Sequence, residues 1–115
     1  MSTTDIVHEL SRIGRELDDL SHRIDQLDQA AVLAWSAHRK AYATAYIDGQ
    51  GSIEDRKQHA VLEVEEQRVS AESADQVLRA ARERIRVLRD RLEIGRSISA
   101  ARRAEFAAEP VGQAT

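Results

Sequence analysis

Apolar residues return along the first third of the chain at alternating steps of four and three. Ile6, Leu10, Ile13, Leu17, Leu20, Ile24, Leu27 and Ala31 make one unbroken series. Steps of this kind keep a single stripe of a helix turned toward a partner helix, the heptad pattern of a coiled coil. Thr4 or Asp5 can open that helix, because a short side-chain oxygen accepts from N–H groups that the first turn leaves unbonded. Past Ala31 the stripe becomes small: Ala34, Ala37, Ala41 and Ala45 replace Leu and Ile, which lets a neighbouring helix come close. Trp35, Tyr42 and Tyr46, at steps of seven and four, add an aromatic strip in the same stretch.

Asp48-Gly49-Gln50-Gly51-Ser52 interrupts the pattern. Gly49 suits the left-handed position that follows a helix. Ser52 then opens a second helix, with Asp55 placed for a short version of the capping box. The second seam runs Ile53, Lys57, Ala60, Val64, Gln67, Ala71, Ala74, Leu78, Ala81, Ile85, Leu88 and Leu92, weak in its middle and strong from Leu78. Gly95 and Pro110 are the next breakers, and a helix of roughly 55 residues would be about 80 Å long. The expected fold is all-α: a long antiparallel two-helix hairpin forming one domain over 1–109. Its helices cover about 4–47 and 53–106, its turn 48–52, and 110–115 form a disordered tail. A fold point near residue 50 sets Leu10 against the Asp90 region and Leu20 against Ala80, so the two strong seams adjoin. Such a hairpin buries one stripe per helix, too little for a lone monomer, and the chain is expected to form a homo-oligomer.

Composition agrees with this and removes other classes. Leu, Ile, Val and Phe supply 26 of the 115 residues and aromatics only 3%, while 32% are charged. Cysteine is absent, which excludes disulfide scaffolds, Cys-bound zinc and thiol catalysis. No apolar run approaches the ~20 residues of a membrane span. The first ten residues hold Asp5 and Glu9 and no Lys or Arg, so they lack the basic n-region of a signal peptide, and the expected location is the cytoplasm. His8, His22, His38 and His59 never fall three or four apart, the spacing that aims two imidazoles at one metal. Gly49-Gln50-Gly51-Ser52 lacks the Lys-Ser/Thr ending of a phosphate loop, and Asp18-Asp19 and Glu65-Glu66 read as solvated helix faces. No enzyme, cofactor, metal or small-molecule substrate is expected.

Charge is the uneven property. Residues 79–103 carry nine arginines (Arg79, Arg82, Arg84, Arg86, Arg89, Arg91, Arg96, Arg102, Arg103) against Glu83, Asp90 and Glu93. That block is +6 in a chain whose total is −3. Arginine without lysine suits bidentate contact with phosphate or carboxylate. One reading is a nucleic-acid backbone stripe. The other pairs the block with Asp5, Glu9, Glu16, Asp18, Asp19 and Asp25 across the hairpin, leaving Arg102 and Arg103 for a ligand. A second basic group, Arg39, Lys40, Arg56 and Lys57, meets Tyr42 and Tyr46 at the turn. Cations with flat rings are what single-stranded nucleic acid uses, although the rings could equally pack on the alanines.

From the turn onward the layout resembles the UvsY-type recombination mediators of bacteriophages. The likeness lies in Lys40-Ala41 leading through Tyr46 to a Gly-containing turn, Ser52-Ile53-Glu54-Asp55, Val61-Leu62, and Ala81 with Ile85. It continues through Arg89-Asp90-Arg91, Ile94-Gly95-Arg96 and Arg103-Ala104-Glu105-Phe106, and covers about 39–106. The Ala/Arg-rich style also resembles small proteins of actinobacterial phages or prophages. The resemblance implies a ring-like helical oligomer in a bacterial cytoplasm that binds single-stranded DNA, contacts a recombinase and helps it displace single-strand-binding protein. It places Lys40 at the first of two basic DNA-binding positions; Tyr42 stands at the second, with Arg39 nearby. The first helix departs from that family in its even heptads. The alternative is a coiled-coil protein–protein adaptor or inhibitor, such as a phage assembly or host-interaction factor with no DNA binding. Acidic Glu54, Asp55, Glu63, Glu65, Glu66, Glu72 and Asp75 suit that role better.

Overall fold

The computed structural model describes residues 2–108, and the expected tail at 110–115 lies outside them. Three helices follow in order: α1 (Thr3–Asp48), α2 (Ile53–Glu63) and α3 (Glu65–Ala108), with no strand among the described residues. Helix α1 starts one residue before Thr4, because the cap is Ser2. Its Oγ accepts from the Asp5 N–H (3.1 Å), and the Asp5 carboxylate accepts from the Ser2 N–H (3.1 Å). Ser52 and Asp55 repeat the reciprocal arrangement at the start of α2, as the sequence pattern requires.

Between these caps the turn departs from expectation. Gly51, not Gly49, takes the left-handed conformation, with φ of 96°. Gly49 instead closes α1 by donating to the Tyr46 carbonyl at 3.3 Å. A side chain at Gly51 would meet the Asp55 carboxylate at 2.7 Å, so the capping box itself keeps this position bare.

The expected second helix is divided at Val64, whose φ of −105° and ψ of 20° leave the helical well. Its hydrogen bonds survive: the Val64 N–H donates to Ala60 (3.1 Å) and the Arg68 N–H to Val64 (3.0 Å). The seam keeps its phase across the break, since Ala60, Val64, Ala71, Leu78, Ala81 and Leu88 are all buried. Gly95 does not interrupt α3.

The chain gathers into two compact units. One joins residues up to Ser21 with those from Glu83 onward. Here α1 and α3 run in opposite senses, Leu10 lying on Gly95 and Glu16 on Arg84. The register is about one turn from the expected one, because Gly95 is the position that admits the Leu10 side chain. Ile6, Ile13 and Leu88 are buried, with Leu10, Leu17, Leu20, Ile85 and Leu92 half-buried around them.

The other unit, His22–Arg82, is also antiparallel, with Asp28 reaching Arg82 and Ala45 packing on Ala60 and Val64. Ala31, Ala71, Leu78 and Ala81 are buried, and Ile24 and Leu27 half-buried. Ile53 and Lys57 lie exposed, so the second seam begins at Ala60, where Ala45 covers it. Ala37 is exposed as well, since Trp35, His38 and Tyr42 share the inward side of α1 with Ala34 and Ala41.

Candidate interaction surfaces

The basic residues at the turn do not form one cluster. Lys40 borders a groove with Thr44, Asp48, His59, Glu63 and Gln67, so acids stand beside the cation. Arg39 borders a different groove with Trp35, Asp28, Asp75 and Arg82. Arg56 folds over the turn, its Cγ positioned to touch a side chain at Gly49 and its Nε shielded from solvent without an acceptor. Only Lys57 is plainly exposed next to it. Tyr42 and Tyr46 are half-buried and pack against the Ala45–Ala60–Val64 cluster. Trp35 sits edge-on to His38, ring centres 5.7 Å apart. The helical spacing that placed these groups near the turn could not say on which side of α1 the partner helix would lie.

The arginine block is divided between two fates. Arg84 grips Glu16 with both arms, Nε to Oε1 at 2.8 Å and Nη2 to Oε2 at 3.2 Å. Arg82 reaches Asp28 at 3.4 Å, and Arg79 reaches Asp75 one turn back at 3.3 Å. Arg86 pairs with Glu83 and lies 3.6 Å from Asp90. The hydrogen bond from Arg84 holds the Glu16 carboxyl below its ordinary pKa, and Arg86 does the same for Glu83. Arg68 likewise lowers Glu65 and is itself raised by Glu65 and Glu72. Pairing in this form spends the arginine's fork on carboxylate. Arg89, Arg96 and Arg103 are exposed and have no ion pair among the described residues. Arg102, expected to be left for a ligand, has a partner within the protein. It borders a groove with Thr3, Val7, Ser99, Arg103 and Phe106.

Apolar exposure is the feature that sequence reading underrated. Leu62 is 78% exposed, Phe106 75% and Ile47 74%, while among the described residues Leu88 is the one large side chain fully enclosed. Val32, Leu33, Ile53, Val69, Val77 and Ile94 also face outward. In the unit that contains Gly95, an apolar groove has Ile6, Leu10 and Ile13 on one wall and Ile94, Gly95 and Ile98 on the other. Ile94 and Ile98 lay outside the seam read from the sequence because they stand one residue before its next positions, Gly95 and Ser99. Among the described residues no group of three or more acids or histidines is placed to hold a metal, and no helix is long and apolar enough to cross a membrane. Comparison with protein-family models, curated proteins and solved structures found no match.

Proposed function

We propose that this chain is a non-catalytic helical adaptor that works by docking its outward apolar faces on protein, in oligomeric form. The observation that carries the reading is the contrast between a thin core and a rich surface. Leu62, Phe106 and Ile47 are each about three-quarters exposed, whereas the buried positions are mostly alanine and short aliphatics. Large exposed apolar surface marks association sites, and long helices with shallow grooves offer no enclosed place to exclude water from a reaction.

A second reading, a recombination mediator that binds single-stranded DNA in the bacterial cytoplasm, draws on the exposed Arg89, Arg96 and Arg103, which lack acidic partners among the described residues. The turn weighs against it, because Asp48 and Glu63 share the groove of Lys40 and both tyrosines lean on the core. The deciding experiment is a titration with a labelled single-stranded oligonucleotide. The adaptor reading expects no saturable binding at about 50 mM salt, where phosphate contacts are strongest. Saturable binding whose log K falls with log salt by about 0.7 per phosphate contact would install the mediator reading in its place.

A further inference from the structure

The apolar groove beside Gly95 has two properties that together name an occupant. Its walls are aliphatic and leave an open trough between α1 and α3. The space beside Gly95 is filled by Leu10 of the same chain, while Ile94 (60% exposed) and Ile98 (43%) project from α3 one turn apart. An open trough flanked by two knobs of matching aliphatic character can pack against itself. Its rims are also self-complementary: Glu9 stands on the α1 side and Arg91 on the α3 side of the same groove. Glu9 is bonded to Arg12 and feels Arg91 only through space, and Arg91 makes no hydrogen-bonded ion pair among the described residues. In a two-fold contact residue i meets j and j meets i, so one rim pair is satisfied twice.

We propose that the Ile94/Ile98 face is a homodimer surface, on which a second copy of this chain lays the same face with Glu9 of each copy beside Arg91 of the other. The inference rests on the adaptor reading and supplies its first partner. The need for it is visible in this unit's core, where among the described residues only Ile6, Ile13 and Leu88 are buried. Adding a copy closes the groove and converts two packed helices into four, the number at which a bundle encloses its apolar stripes.

Sedimentation velocity on the full chain at about 1–100 µM tests this. The wild type is expected to sediment as a dimer. Replacing Ile94 and Ile98 together by Lys should give monomers with helicity retained, since both side chains already face solvent in one copy. A charge test works even where that variant fails to fold. Glu9→Arg alone sets like charges at both rims, as does Arg91→Glu alone, and each should weaken the dimer ~10-fold or more. Mixing the two variants restores opposite charges at both rims and should restore the dimer. A pairing confined to one chain cannot produce that rescue. A monomeric wild type, an undiminished dimer in the double-Lys variant, or no rescue on mixing would each overturn the inference. A monomeric wild type would leave the adaptor reading standing on a different protein partner, whereas saturable DNA binding would remove that reading and leave this face untouched.

Discussion

Gly14 and Gly95 both sit inside helices, yet a methyl group added at each meets different surroundings. An ideal Cβ at Gly14 has no atom within 4 Å, while one at Gly95 falls inside van der Waals contact of Leu10 Cδ2 and 3.3 Å from its Cγ. Glycine inside a helix costs about 1 kcal/mol relative to alanine, so Gly14→Ala should stabilise by close to that amount. Gly95→Ala gains the same propensity but must turn Leu10 away, a rotamer strain of about 0.5–1.5 kcal/mol that cancels most of the gain. Leu10 also loses packing as it turns. The net effect at Gly95 should therefore be near zero or unfavourable. For a domain of this size 1 kcal/mol moves Tm by about 4–8 °C, so the two variants separate clearly in a thermal melt followed by circular dichroism. Combining Gly95→Ala with Leu10→Ala removes the clash, and the glycine replacement should then regain its full benefit in that background. Equal stabilisation by Gly14→Ala and Gly95→Ala, with no dependence on Leu10, would refute the placement of Leu10 on Gly95 and with it the register of α1 on α3.

Leu88→Ala truncates a fully enclosed large side chain and should cost about 2–4 kcal/mol, read as a fall in the urea midpoint. Leu62→Ala, at an exposed position, should stay within about 0.5 kcal/mol. Ser52→Ala removes the acceptor for the Asp55 N–H and should lower stability by about 0.5–2 kcal/mol in the same assay. Acid should destabilise the fold: Asp5, Glu9, Glu16, Asp55, Glu65 and Glu83 all have folded pKa values below their ordinary ones. Stability they contribute is complete above the unfolded carboxylate range and is lost as pH falls through their lower folded values. Melts from pH 7 to pH 3 should show that decline, with a smaller share of it in Glu16→Gln.

What the sequence made legible was the part of the fold set by local rules. The heptad from Ile6 to Leu27 and the Ser52–Asp55 box each depend on neighbours three or four residues away and stand where their spacing puts them, whereas in the turn Gly51 takes the left-handed role expected of Gly49. Every position of the seam from Ile6 to Ala31 is buried or half-buried. The register was less legible, because an unknown fold point leaves a turn of freedom. Gly95, read as a breaker, in fact makes room for the Leu10 side chain. The arginine block shows the same limit: pairing with Glu16 follows from facing charges, but Asp28 lay outside the expected acids, and which arginines pair depends on side-chain direction around α3. Arg39 and Lys40, neighbours in sequence, border different grooves, and Arg56 lies against Gly49, a division that helical spacing alone does not resolve.

We propose that the chain completes its apolar burial by association. The most direct measurement is the thermal midpoint of the wild-type protein as a function of its own concentration. If folding and assembly are linked, mass action raises Tm by several degrees between about 1 and 100 µM, alongside a shift in sedimentation away from the single chain. A midpoint that stays fixed over that range, with the sedimentation of one chain throughout, would contradict the claim.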